Sequence, residues 1–83
     1  MYGSVYIYKG KLNKEDIKNI GDGFKHLKCK VIEGEEKGIV RLEFPIYEAH
    51  KITMDEFVNV LEKATKKKVT GGVIKNRVCF KFD

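Results

Sequence analysis

Between Gly38 and Ile46, Val40, Leu42, Phe44 and Ile46 alternate with Ile39, Arg41, Glu43 and Pro45. A period of two sets one apolar row along one side of a strand, so this stretch predicts a half-buried strand around which the chain is arranged. Ser4 to Lys9 has the same period, with Val5 and Ile7 on one side and Tyr6 and Tyr8 on the other. Lys28 to Glu33 alternates Cys29 and Val31 with Lys30 and Ile32, and the charged connector from Glu33 to Gly38 joins it to the next strand as a hairpin. Pro45 cannot donate to a ladder, so pairing is expected to end there and Tyr47 to Lys51 to form a loop. Near the end of the chain, Val78, Phe80 and Phe82 share one face and Arg77, Cys79 and Lys81 the other, which predicts a closing strand. Gly71-Gly72 is expected to make a tight turn after a short arm, Val69-Thr70, whereas a turn and a continuous strand fit Lys75-Asn76 equally.

The period changes to that of a helix in two places. Asn13 precedes Glu15 and Asp16 as an N-cap, and Ile17, Ile20, Phe24 and Leu27 form one stripe, predicting a helix over Lys14 to Leu27. Gly21 and Gly23 cost about 1 kcal/mol each in a helix interior, so irregular last turns are expected, with close approach to the sheet as the reason for the glycines. Thr53 and Glu56 form a capping box, Ile52 and Phe57 a hydrophobic staple, and Met54, Phe57, Leu61 and Ala64 a stripe, predicting a helix over Met54 to Lys67. The order strand, helix, strand, strand, helix, strand, with right-handed crossovers, gives an α+β chain: a ferredoxin-like βαββαβ sandwich. In it two helices cover one face of a four-stranded antiparallel sheet, the first and third strands are central, and the second and fourth are edges.

Length and charge add limits. The 83 residues form one domain, 1–83, with one core. No apolar run approaches the ~20 residues that span a bilayer, and the N-terminal stretch lacks the pattern of a signal peptide, so the expectation is a cytoplasmic protein with no membrane association. The net charge is +5, with an acidic centre from Glu33 to Glu62 between basic flanks. That layout raises the odds of a polyanionic partner. Cys29 and Cys79 lie far apart with no CxxC and no neighbouring histidine, so reduced thiols and no metal or other cofactor are expected.

Strand parity leaves one face of the sheet uncovered, carrying Tyr6, Tyr8, Lys28, Lys30, Ile32, Ile39, Arg41, Glu43, Arg77, Cys79 and Lys81. Aromatic platforms among cations stack bases and hold phosphates, so single-stranded nucleic acid is the expected ligand. Tyr6 and Tyr8 would stack, and Lys30, Arg41, Arg77 and Lys81 would meet phosphates. The third strand lacks the outward aromatics of an RNA-recognition motif and carries Glu43 instead. The same face, with tyrosines and arginines around Ile32 and Ile39, equally fits a protein interface: a homodimeric regulatory subunit, or a small inhibitor of viral or plasmid origin. Lys63, Lys66, Lys67 and Lys68 suit a helix C-terminus as well as they suit a phosphate, and Gly71-Gly72 lacks the spacing of a phosphate loop. For catalysis, His26, Cys29, Cys79 and the local pair Glu48 and His50 are the candidates, and none forms a constellation that performs chemistry; the chain is expected not to be an enzyme.

Overall fold

The computed structural model describes residues 2–74 and 77–82. In chain order its elements are β1 (Tyr2–Tyr8), α1 (Lys14–Gly23), β2 (Lys30–Glu36), β3 (Ile39–Pro45), α2 (Ile46–Ala49), α3 (Met54–Thr65), β4 (Val69–Ile74) and β5 (Arg77–Phe82). The chain is α+β, with three helices and one five-stranded sheet of order β2-β3-β1-β5-β4. The helices start where the caps place them. Asn13 accepts from the Asp16 N–H at 2.8 Å while Asp16 accepts from the Asn13 N–H at 3.1 Å, and Thr53 and Glu56 close the same box on α3. After Gly23 the first helix gives way to a 3-10 turn at Lys25–Leu27, as its glycines lead one to expect, and it ends at Lys28 in the left-handed region, φ 57°. Lys66, φ 56°, ends α3 in the same way, just short of the expected Lys67.

The core lies between the sheet and α1 with α3. Ile7, Val40, Leu42, Phe44, Phe80 and Phe82 meet Ile17, Ile20, Phe24, Phe57 and Leu61 from the helices. Phe57 is at its centre, stacked on Phe24 at 4.4 Å and on Phe80 at 5.7 Å between ring centroids, with Phe44 edge-on at 5.8 Å. Gly23 allows α1 to lie against α3, since a Cβ there would stand 2.8 Å from Val60. The close approach at this glycine is therefore to a helix, whereas Gly21 faces Val31 of the sheet.

Three expectations are corrected. The four-stranded antiparallel ferredoxin-like sheet is instead five-stranded, because Gly71 and Gly72 do not turn the chain but lie within β4, paired opposite Phe80 and Cys79 of β5. Gly71 takes φ +136°, and a Cβ there would sit 2.5 Å from the Cys79 carbonyl oxygen, so glycine is required inside the strand, not at a hairpin tip. The alternative turn at Lys75-Asn76 lies outside the described residues. With β4 as a strand, β5 enters the sheet beside β1 and runs parallel to it, Tyr6 opposite Cys79, so the sheet is mixed. Consequently β5 is an interior strand, β4 is the edge, and Cys79 does not sit on an edge strand. Finally, part of the expected loop Tyr47 to Lys51 is the short helix α2, which begins directly after Pro45, the last paired residue of β3.

Candidate functional site

Alternation along β1, β3 and β5 points Tyr6, Tyr8, Arg41, Glu43, Arg77, Cys79 and Lys81 away from the helices, because their neighbours Ile7, Leu42 and Phe80 are buried against them. The ladder then aligns them across strands. Arg41 of β3 stands opposite Ile32 of β2 and Tyr6 of β1, and Tyr6 stands opposite Cys79 of β5, so one row crosses four strands. Lys30 is opposite Glu43. All six residues expected to contact nucleic acid therefore share the outer face.

Both arginines of this face are already engaged by carboxylates. Arg41 donates from Nε and Nη2 to the two carboxylate oxygens of Glu35, both at 2.8 Å, and from Nη1 to Glu43 at 2.7 Å and to Ser4 Oγ at 3.2 Å. Arg77 donates from Nη2 and Nη1 to Glu36 at 2.7 and 3.1 Å, while its guanidinium carbon lies 4.2 Å from the Tyr6 ring centre. A planar guanidinium matches a carboxylate through two parallel bonds, and the same fork would be used to hold a phosphate. Lys81 Nζ sits 5.3 Å from the Tyr8 ring centre, a second cation over a tyrosine. Lys9 completes the set at the hairpin, donating to Glu33 at 3.0 Å. Among the described residues, Lys30 and Lys81 have no carboxylate within ion-pair distance.

These pairs fix the ionisation of the face. Hydrogen bonds from Arg41 hold the Glu35 carboxyl below its usual range, and those from Arg77 do the same for Glu36. Glu35 in turn raises the pKa of Arg41, so each partner favours the charged form of the other. The Tyr8 phenol is pushed up, first by its hydrogen bond and then by its charge interaction with the neighbouring Cys79 thiol. Cys79 itself is 5% exposed although it faces outward, so it is screened within the face and not presented by it.

Glu35 and Glu36 are the residues that reading the sequence misses. The run Glu33 to Glu36 looks like a solvated connector, yet β2 continues through it to Glu36, and a register shift between Ile32 and Glu36 brings the carboxylates beside β3. The only signal in the sequence is that three acidic residues lie within reach of the outward arginine of the following strand.

Elsewhere the candidate chemistry disperses. Glu48 is buried on α2 and forms an ion pair with Lys51 at 3.2 Å, while His50 and His26 are exposed. Burial pushes the Cys29 thiol up to about 12, the opposite of an activated nucleophile. Lys67, at the end of α3, donates to Asp16 in the first turn of α1 at 3.3 Å. Lys28 Nζ lies 5.5 Å from the ring centre of the exposed Tyr47. On the helix side, an apolar hollow of about 130 Å³ is lined by Val5, Phe44, Ala49, Ile52, Met54 and Phe57. Among the described residues no group of three or more His, Cys, Asp or Glu side chains is placed to hold a metal ion, and no helix is long and apolar enough to cross a membrane. Comparison with protein-family models, with curated proteins and with solved structures finds no match.

Proposed function

We propose that this chain is a non-enzymatic binding module whose outer sheet face recognises a protein. What carries the reading is that both arginines of the face are occupied by glutamates of the β2–β3 hairpin. A phosphate backbone would have to displace Glu35 and Glu36 from the forks it needs, and those carboxylates would remain nearby to repel it. A protein partner meets a different surface: a central pair of tyrosines with cations over their rings, flanked by the half-buried Ile32 and Ile39 and by arginines already paired with glutamates. Tyrosine and arginine with few rotatable bonds left to freeze are the groups that concentrate binding energy at such interfaces. Single-stranded nucleic acid is the competing ligand, favoured by the net charge of +5 and by Lys30 and Lys81.

The test uses a photo-reactive side chain in place of Tyr8, with and without Tyr6→Ala, in native extract. The expected result is one discrete protein adduct that Tyr6→Ala abolishes and nuclease treatment leaves unchanged. An adduct with nucleic acid overturns the proposal. So does an oligonucleotide affinity that Tyr6→Ala lowers and that falls with salt at a log-log slope near −0.7 per phosphate contact.

A further inference from the structure

The two edges of the sheet are built unlike one another. On β2, Lys30, Glu33, Glu35 and Glu36 are charged, Gly34 has φ +88°, and the register slips between Ile32 and Glu36. Charge, a bulge and a broken register are the usual means by which an edge strand is kept from adding another. β4 shares only the positive-φ glycine, Gly71 at +136°: Val69-Thr70-Gly71-Gly72-Val73-Ile74 has no charged residue and no proline, and its pairing runs unbroken from Val69 opposite Phe82 to Ile74 opposite Arg77. Among the described residues, the one side-chain hydrogen bond to this strand's backbone is donated by the Val69 N–H to Glu62 Oε2 at 3.0 Å. Beyond Val69 the outer rim of β4 presents backbone donors and acceptors with no partner among the described residues, a row whose burial would have to be matched bond for bond.

We propose that β4 is the seam of a homodimer, pairing antiparallel with β4 of a second copy to make one continuous sheet. Three features select a second copy as the occupant. Two identical edges pair antiparallel about a two-fold axis, so every molecule supplies the complement of its own rim. An axis through the glycine pair puts strand without side chains where two backbones come closest, about 4.5 Å between Cα atoms in the narrow pairs of such a ladder. The far edges of the doubled sheet would both be the charged, bulged β2, so assembly closes at two copies instead of continuing into a fibre. The helix α3 strengthens the seam: Glu62 ties it to the start of β4, and the two-fold brings the α3 helices of both copies side by side above the joined strands. This surface is distinct from the outer face of Tyr6 and Tyr8, and the dimer stands or falls without that face.

The experiment is sedimentation equilibrium on the full chain, wild type beside Thr70→Lys and Tyr6→Ala. Thr70 is exposed on β4, so a lysine there leaves the fold intact, which circular dichroism checks, and it places like charges across the seam. Wild type is expected to dimerise, Thr70→Lys to raise the dissociation constant about tenfold, and Tyr6→Ala to leave it unchanged. A wild type that stays monomeric throughout the accessible concentration range overturns the proposal, as does a folded Thr70→Lys that dimerises undiminished, or a dimer that Tyr6→Ala dissociates. Hydrogen exchange supplies a readout independent of any variant: amides of residues 70–74 should gain protection as protein concentration rises, while those of β2 should not, and equal behaviour of the two edges also overturns it.

Discussion

The two faces of one sheet are held together by different physics. Toward the helices, Ile7, Leu42, Phe44 and Phe80 are at most 3% exposed and make no directional bonds, so their contribution scales with the area removed from water and with how well the rings fit. Toward solvent, order comes from paired charges and from cations laid over tyrosines, each contact directional and each screened by salt. The inner face therefore supplies stability, and the outer face supplies a defined shape at little cost. A surface of that second kind can exchange its internal contacts for those of a partner without unfolding anything.

The difference predicts how each face breaks. The largest loss is expected for Phe57→Ala, about 3 to 5 kcal/mol in denaturant melts, since Phe57 touches three other rings and a hollow already lies beside it. A loss no greater than that of an exposed substitution would show that the aromatic cluster is not the centre of the core. Next comes Gly71→Ala, expected to cost about 1 to 3 kcal/mol, because a side chain must displace the β5 backbone and φ +136° is strained for any residue with a Cβ. Melts that match wild type would return Gly71 to an unstrained turn.

The smallest effect belongs to the outer face and is best seen against pH. Glu35 and Glu36 have folded pKa values held below their ordinary ones. Their pairs thus contribute fully above the ordinary carboxylate range, and that contribution fades as pH falls through the lowered values. The stability gap between wild type and the double variant Glu35→Gln, Glu36→Gln should be small at neutral pH, shrink further toward pH ~3, and shrink likewise with added salt. A gap that widens in acid would mean the carboxylates are penalised by burial instead of held by the arginines. For the thiols the contrast gives a chemical test: with Cys29 raised to about 12 and Cys79 5% exposed, both should resist maleimide at neutral pH until the protein is unfolded. Rapid labelling of the native protein would place one of them at the surface.

Much of this architecture is legible in the sequence. Both long helices announce their starts through side chains that satisfy orphan N–H groups, Asn13 with Asp16 and Thr53 with Glu56, and such local bonds need no tertiary context. The faces of β1, β3 and β5 follow from alternation alone, which is why Tyr6, Tyr8, Arg41, Arg77 and Lys81 share one face, and Lys30 of β2 joins them opposite Glu43. What failed depends on distant partners. Gly71-Gly72 resembles a turn until the Cys79 carbonyl is seen to occupy the space of a side chain, and from that one strand follow the fifth position, the mixed sheet and the exposed edge. Glu35 and Glu36 resemble solvated charge until a register shift, invisible in the sequence, swings them over β3. Four residues of α2 span about one helical turn, too short for any periodicity to show.

The position of β1 has a kinetic consequence. The β2–β3 and β4–β5 pairs are local, each able to form early from residues close in sequence, but no strand of one pairs with a strand of the other, and the Arg77–Glu36 bridge between them forms only once both are in place. Their backbones are joined into one sheet through β1, antiparallel to β3 on one side and parallel to β5 on the other, and its pairing with β5 closes nearly the whole chain into a loop. Such a closure is entropically late, so folding should be a millisecond-to-second process whose barrier is the docking of β1 between two preformed hairpins, and not the microsecond collapse of a helical bundle. Once docked, β1 is also the last strand to let go: its amides should exchange only when the entire molecule opens, while the hairpins on either side of it breathe on their own.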